Sequence, residues 1–355
     1  MPFPEWLNGV RQEALRAGLK PATLDAALGS LEPLPVVVER DRTQAEFTLS
    51  LDQYISRRLT KKLVRDTAKA AATHKALLAK VSATYGVPAP IVVSVWALES
   101  NLGRFSGVRP TIATLATLAW EGRRGTFFRA QLLDALRILD RGDIDPARLK
   151  GSWAGAMGQV QFMPSSYLQY AQDFDGDGHR DIWTSQADVF ASIANYLRER
   201  GWSGTYAWGR EVRVPEDRSA IDAAAPRRTE GCRAEQELST ALPLERWRAL
   251  GVRAPSGTAL PKADVEASLL VTGPRAFLLY PNYGALLQYN CAHAYALSVG
   301  LLSDRIGKKG GSTPASAKKP VPAAPKTTST AKKKPASKPK DAAGPKQIRP
   351  APPSP

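Results

Sequence analysis

The stretch that decides the fold is IVVSVWALESNLG, residues 91–103, an apolar run that contains a single carboxylate, Glu99. Pro88 and Pro90 are typical of the start of a helix, and Gly103 is typical of its end. The sequence therefore predicts a buried helix that carries one acid close to its C-terminus.

The position of Glu99 on this helix suggests a proton carrier. Val95, Trp96 and Leu102 lie three or four residues away and would surround its carboxyl with apolar groups. Burial and the negative end of the helix dipole both favour the protonated form, which a general acid requires. The alternative is an amphipathic helix with one exposed glutamate near its end.

Length and composition indicate a folded protein with two or three domains. The chain has 355 residues, of which 43% are apolar, and this is ample for a sizeable core. We find no run of about 18 apolar residues, so we expect no membrane span. The first thirty residues are polar and helix-like rather than typical of a secretion signal.

Most of the net charge of +16 lies at the C-terminus. Residues 307–355 contain 12 Lys or Arg and one acid, which leaves 37 basic and 32 acidic residues elsewhere. This Lys/Pro/Ala-rich tail has almost nothing to bury, so we predict that it is disordered. It is interpreted as a solubilising extension; binding to an anionic envelope polymer is the alternative, and nucleic acid is not the expected partner.

Helical periodicity dominates the first half of the chain. A short β-rich region follows between about residues 206 and 281. The strand-like runs are Glu211–Val214, Ala267–Val271 and Ala276–Tyr280. Helical patterns return at Tyr289–Asn290 and at 294–302. The two cysteines, Cys232 and Cys291, would form a disulfide in an oxidising compartment or remain thiols elsewhere.

A glycine-rich segment, residues 151–164, is predicted to be a binding loop. Its small residues permit close approach of the backbone, and polar Ser152 and Gln161 alternate with Trp153 and Phe162. A tight connection between helices is the alternative. Pro164 is predicted to begin the next helix.

An acidic loop follows, and its spacing resembles the opening of an EF-hand. The oxygen donors at the first, third, fifth, seventh and ninth positions are Asp173, Asp175, Asp177, the carbonyl of His179, and Asp181. Gly178 stands at the sixth position, but the twelfth is Thr184 instead of glutamate, so Asp188 would have to supply a late carboxylate. We predict a structural calcium ion, with an empty Asp-rich turn as the alternative.

Taken together, these motifs resemble those of the lytic murein transglycosylase B family of bacterial cell-wall enzymes. The resemblance extends from the N-terminal helices to about Arg305 and includes the segments 99–103, 123–124, 152–158, 161–166, 173–181, 194–196 and 289–290. Several ordered motifs over some three hundred residues are far more specific than any one of them. Gln159-Val160 and the late position of Asp188 depart from the common family pattern.

The resemblance implies a mainly α (α+β) protein with a lysozyme-like catalytic core. The implied segments are a helical N-terminal domain (1–85), the core with its EF-hand-like loop at 173–188 (86–205), a small antiparallel β subdomain (206–281), helices returning to the core (282–306) and the tail (307–355). Glu99 falls on the catalytic acid/base of the family. The implied reaction cleaves the MurNAc–GlcNAc bond of peptidoglycan and forms a 1,6-anhydromuramoyl end, as a carbon-oxygen lyase does.

The same resemblance assigns residues to the glycan groove. They are Ser152, Gln161, Tyr196, Tyr289, Asn290 and Tyr295, with Arg123 and Arg124 as candidate contacts to glycan or stem peptide. The expected location is the periplasm or cell envelope, and the expected partners are glycan strands and proteins of wall synthesis or division. A lysozyme-type muramidase and a non-catalytic wall-binding protein are the alternative functions; no organic cofactor is expected.

Overall fold

The computed structural model describes residues 1–43 and 50–307. The tail is predicted to be disordered, and its residues from 308 onward lie outside the described part of the chain. Most of the described residues are helical, and the strands are few and antiparallel. The prediction of a mainly α protein with a small antiparallel β portion is confirmed.

Among the described residues up to Gly151, nine helices and two short strands are present. They are α1 (Phe3–Arg16), α2 (Pro21–Leu28), α3 (Pro35–Arg42), α4 (Leu51–Arg58), α5 (Lys61–Thr73), α6 (Lys75–Tyr85), α7 (Ala89–Ser100), β1 (Arg109–Pro110), α8 (Thr111–Glu121), α9 (Gly125–Arg141) and β2 (Lys150–Gly151). Proline occupies the first turn of α1, α2, α3 and α7, where its missing N–H costs no hydrogen bond. At α4, Ser50 and Gln53 form a reciprocal capping box.

The described residues from Pro164 to Gly307 contain seven helices and four strands. They are α10 (Pro164–Tyr170), α11 (Gln186–Glu199), β3 (Gly209–Val212), α12 (Ser219–Ala224), α13 (Arg233–Gln236), β4 (Leu242–Pro243), α14 (Leu244–Ala249), β5 (Glu266–Thr272), β6 (Arg275–Leu279), α15 (Pro281–Tyr289) and α16 (His293–Ile306). The helix predicted through Tyr289–Asn290 ends at Tyr289, and Asn290 lies in the break before α16.

Helix α7 lies at the centre of the molecule and packs against α5, α11 and α16. From Ile91 to Ser100 every residue is buried except Glu99. The helix ends earlier than predicted, because Asn101 and Leu102 already adopt left-handed backbone conformations with φ of 50° and 61°. Gly103 follows with φ of 78°, so three consecutive left-handed residues turn the chain away from the helix.

The sheet after the core has the order β3-β6-β5-β4, with antiparallel neighbours throughout. In this register Leu278 of β6 pairs with Arg210 of β3 on one side and with Leu269 of β5 on the other. Its apolar face builds a core of its own around fully buried Trp247, separate from the main core. A second, two-stranded ladder pairs Arg109 with Gly151 and thereby fixes the start of the glycine-rich segment.

A disulfide joins Cys232, the residue before α13, to Cys291, in the break between α15 and α16. It links the β region to the segment that contains Asn290. The sequence left open whether these cysteines pair.

Within the described residues, no single helix is long and apolar enough to cross a bilayer. Helices α6 and α7 meet the length and composition criteria only as a pair, and that pair is bent by 109°.

Candidate active site

Glu99 is the half-buried acid of an otherwise buried helix segment, and phenols from three other elements surround it. Tyr295 on α16, Tyr289 at the end of α15 and Tyr54 on α4 all feel the charge of its carboxylate. The side chain is neither fully enclosed nor on an open surface. Glu99 is thus a partly accessible acid with buried phenols beside it.

The tyrosines around Glu99 stay protonated. Burial raises the pKa of Tyr289 and Tyr295 well above the usual value, and the negative charge of Glu99 raises both further. Burial raises the pKa of Tyr54 as well, while Arg58 opposes the shift. Neutral phenols retain an O–H group, so Tyr54 and Tyr295 can donate a hydrogen bond toward an acidic or sugar oxygen, whereas the hydroxyl of Tyr289 donates to a backbone carbonyl.

The glycine-rich segment is held against this site by side-chain bonds. The Tyr289 hydroxyl donates to the carbonyl of Val160 at 2.7 Å. Within the segment, Gln161 has a left-handed backbone with φ of 50°, and its Nε2 donates to Gly158 at 2.9 Å. Its buried Oε1 has no hydrogen-bond partner among the described residues, so one acceptor of the segment is unsatisfied.

Ser152, which the resemblance assigns to the glycan groove, has a local structural role. It is 3% exposed, and its Oγ accepts hydrogen bonds from the backbone N–H groups of Ala154 and Ala156 at 3.3 and 3.1 Å. The hydroxyl therefore shapes the turn at the start of the glycine-rich segment.

Tyr196 belongs to a buried aromatic cluster that includes Tyr289. It is 1% exposed, and its ring centroid lies 4.7 Å from those of Tyr170 and Tyr289 and 5.4 Å from that of Phe162. Its hydroxyl donates to the carbonyl of Gln288, one residue before Tyr289. Tyr196 thus supports the Tyr289 side of the site from below.

Asn290 and Tyr295 are also buried, with exposed fractions of 8% and 6%. The carbonyl of Asn290 accepts from Ala292 at 2.8 Å, which organises the break between α15 and α16. Tyr295 stacks on Tyr289 with ring centroids 6.2 Å apart, and its hydroxyl interacts with the side chain of Glu99.

The two predicted arginines lie at the turn between α8 and α9 and pair with one acid. Both guanidinium groups contact Asp41, at 3.2 Å from Arg123 and 3.3 Å from Arg124. Arg124 also lies over the ring of Phe128 at 4.9 Å. The Arg123 side chain is 65% exposed, so it retains surface for a further partner.

The acidic loop brings three of its predicted ligands together. Carboxylate oxygens of Asp173, Asp175 and Asp188 lie within 4.8 Å of one another. Asp177 is not part of this group; its Oδ1 accepts from the backbone N–H of His179 at 2.8 Å. The late carboxylate that the sequence required from Asp188 therefore does reach the start of the loop.

Asp188 is the buried member of this cluster, with 0% exposure. Burial raises its pKa to about 6, against the lowering effect of hydrogen bonds from Phe174 and Asp181. Those bonds are 2.7 and 2.8 Å long and bind one carboxylate oxygen each. Asp173 and Asp175 raise the pKa further, so the three acids repel one another unless a cation or a proton intervenes.

The site residue that sequence reasoning missed is Tyr54. It lies 45 residues before Glu99 in an N-terminal helix whose polar pattern, LDQYISRR, carries no motif. Only the packing of α4 against α16 shows that this tyrosine reaches the acid.

Comparisons with known proteins agree with this arrangement. A family profile described as "Transglycosylase SLT domain" matches residues 2–304. The membrane-bound lytic murein transglycosylase B of Escherichia coli K12 is 35% identical over 227 residues, which is 62% of this chain and 58% of that protein. The chain thus spans less than two thirds of the length of this relative.

Solved structures share the fold. SltB3 of Pseudomonas aeruginosa in complex with NAG-anhNAM-pentapeptide has a TM-score of 0.80 and 42% identity, covering 89% of this chain and 82% of that one. Escherichia coli Slt35 in complex with calcium has a TM-score of 0.69 and 27% identity, covering 86% of this chain and 92% of that one. The lysozyme-like architecture of these transglycosylases is therefore also the architecture of this protein.

Proposed function

Because the chain belongs to the transglycosylase SLT domain family, we propose that it is a lytic transglycosylase of peptidoglycan. The reaction is cleavage of the β-1,4 bond between MurNAc and GlcNAc with formation of a 1,6-anhydromuramoyl end. The observation that carries this proposal is the half-buried Glu99, the one residue between Ile91 and Ser100 that is not buried. The SltB3 complex with an anhydromuramyl peptide supports it.

In this proposal Glu99 acts first as acid and then as base. Its proton goes to the glycosidic oxygen as the bond from that oxygen to C1 of MurNAc breaks, and the electron pair leaves with the GlcNAc oxygen. The carboxylate then removes the proton from the C6 hydroxyl of the same MurNAc while that oxygen bonds to C1. Because the nucleophile belongs to the sugar, proximity replaces an activated water and no second carboxylate is needed.

The phenols have a defined part in this scheme. Tyr289 and Tyr295 remain neutral and enclose Glu99, so they limit its hydration in both protonation states. The unpartnered Oε1 of Gln161 suits an N-acetyl N–H or a sugar hydroxyl, both of which are donors. We assign Ser152, Tyr196 and Asn290 to shaping the groove, since their side chains or backbones are buried.

Arg123 is the better candidate of the two arginines for a stem-peptide contact. Its guanidinium is largely exposed, while that of Arg124 is enclosed between Asp41 and the ring of Phe128. A stem peptide carries carboxylates, which arginine binds with paired hydrogen bonds.

The acidic cluster fits a calcium ion. Three carboxylates converge, and one of them is buried at an energetic cost that a divalent cation would offset. Asp173, Asp175 and Asp188 would hold the ion, with Asp177 and the His179 carbonyl as further ligands. The calcium complex of Slt35 supports this assignment. The ion would fasten the acidic loop to α11 and would supply no chemistry to the sugar.

The proposed location is the cell envelope. An extracytoplasmic substrate and the Cys232–Cys291 disulfide both favour an oxidising compartment such as the periplasm. Proteins of wall synthesis or division, and an anionic polymer for the basic tail, remain proposed partners. The five segments given by the resemblance remain our proposed domain division.

Mass spectrometry of digested sacculi tests the reaction. Anhydromuramoyl ends are expected, whereas reducing MurNAc ends would identify a muramidase instead. Binding to sacculi without any release of fragments would identify a non-catalytic wall-binding protein.

A further inference from the structure

Gln159 is a buried amide of the glycine-rich segment that joins three parts of the site. Its side chain is 5% exposed. Its Oε1 accepts from the indole N–H of Trp96 on α7 at 2.7 Å, and its Nε2 donates to the carbonyl of Trp183 in the acidic loop at 2.7 Å. Its backbone N–H donates to Ile182 at 2.8 Å. Both ends of the amide are therefore satisfied, each by a different element.

Trp96 is the residue through which Gln159 reaches the acid. It lies three residues before Glu99, so the two side chains belong to neighbouring positions on one side of α7. The Trp96 ring also packs edge-on against Phe190 at 5.1 Å and His74 at 5.8 Å. These aromatic contacts fix the plane of the indole, and the bond to Gln159 fixes its polar edge.

The segment after Glu99 is tied to the same point. Ser100 Oγ donates to the carbonyl of Trp96 at 3.0 Å and accepts from the N–H of Gly103 at 3.1 Å. A Cβ at Gly103 would lie 2.6 Å from Gln159 Oε1, so the amide fills the space above this glycine. Gln159 thus contacts the chain on both sides of Glu99.

This support matters because the end of α7 is weak by itself. Asn101 and Leu102 hold left-handed conformations that non-glycine residues rarely adopt, and such backbone persists only where its surroundings impose it. A general acid that also acts as base must hold its carboxyl close to two sugar oxygens in turn, and small displacements reduce the rate strongly.

We propose that Gln159 is a positioning residue for Glu99, acting through Trp96 and the space above Gly103. This inference rests on the proposed role of Glu99 as acid/base. Gln159 touches no substrate in this scheme; it sets the orientation of the last turn of α7 relative to the glycine-rich segment.

The test compares Gln159→Met with a matched control. Methionine is apolar and similar to glutamine in length and volume, but it can form neither the bond to Trp96 nor the bond to Trp183. We expect kcat on peptidoglycan to fall by about 10- to 100-fold with KM within about twofold, because binding groups elsewhere are untouched. The control is Gln131→Met: Gln131 is also 5% exposed and bridges two elements through Ser165, with bonds of 3.0 Å each way. It should lose a similar amount of thermal stability while keeping the kcat of the parent.

A double-mutant cycle with Trp96→Phe separates positioning from general loosening. Phenylalanine keeps the ring and removes the indole N–H. We expect Trp96→Phe to lower kcat in the same direction as Gln159→Met, and the double variant to show no loss beyond that of Gln159→Met, because the bond between Trp96 and Gln159 is absent from all three. If Gln159→Met fails to fold, Trp96→Phe alone still reports on the bond.

The outcomes are distinct. Wild-type kcat in both single variants, or fully multiplicative losses in the double variant, would overturn the assignment of Gln159. Equal losses in Gln159→Met and Gln131→Met would also overturn it. Full activity in Glu99→Gln would instead overturn the proposed role of Glu99, and that variant is measured in parallel.

Discussion

The hydroxyl of Tyr289 donates a 2.7 Å hydrogen bond to the carbonyl of Val160, across 129 positions of sequence. It joins the end of α15 to the glycine-rich segment next to Gln161. Because the same ring packs on Tyr196 and Tyr295, one phenol couples this aromatic cluster to the glycine-rich segment.

Removing this hydroxyl should therefore affect both stability and activity. For Tyr289→Phe we expect a loss of about 1 kcal/mol in the free energy of unfolding, as for a typical hydrogen bond, and a severalfold fall in kcat/KM. Tyr167→Phe is the matched control, since the Tyr167 hydroxyl also donates to a backbone carbonyl, that of Arg180 in the acidic loop, at 2.9 Å. Denaturant unfolding and muropeptide release measure the two effects. Equal activity losses in the two variants would contradict the role given to Tyr289.

Calcium and pH should act together through Asp188. Its folded pKa of about 6 lies above the ordinary 3.8, so the unfolded chain releases this proton at a lower pH than the folded protein does. The metal-free protein therefore loses stability as pH rises from about 4 through 6. A cation favours the ionised carboxylate. We therefore expect the calcium-induced rise in Tm to be larger at pH 7 than at pH 5.

The control for this effect is Asp188→Asn, which should abolish most of the calcium response and flatten the pH dependence. A Tm shift that is the same at both pH values, or that survives in Asp188→Asn, would argue against the cluster as the calcium site.

The disulfide should contribute substantially to stability. Cys232 and Cys291 are 59 residues apart, and closing a loop of this length stabilises a folded chain by roughly 4 kcal/mol in the chain-entropy account. The double variant Cys232→Ser, Cys291→Ser should unfold at correspondingly lower denaturant concentration. Peptide mapping without reductant provides the control, and free thiols in the folded protein would refute the pairing.

Local patterns predicted those parts of the site that lie within one element. The apolar run around Glu99, the small residues after Gly151 and the alternating aspartates each identified their element from residue type and spacing. The reach of Asp188 followed as well, because the turn and the start of α11 lie close along the chain.

Contacts between distant segments could not be predicted. Nothing in the spacing shows that Tyr54 approaches Glu99, or that Asp41 engages Arg123 and Arg124 more than 80 positions later. Such pairs depend on how helices pack, and helical periodicity specifies only which face is buried. The local role of the Ser152 hydroxyl could not be predicted either, because a serine hydroxyl can bind a ligand or the backbone of its own turn.

The most direct test of the account is the product spectrum and rate of Glu99→Gln. Glutamine keeps the size of the side chain and cannot carry the proton. We expect release of anhydromuropeptides from sacculi to fall by about 10²- to 10⁴-fold while the variant stays folded and still binds sacculi. Release of anhydromuropeptides at the rate of the parent protein would contradict the central claim.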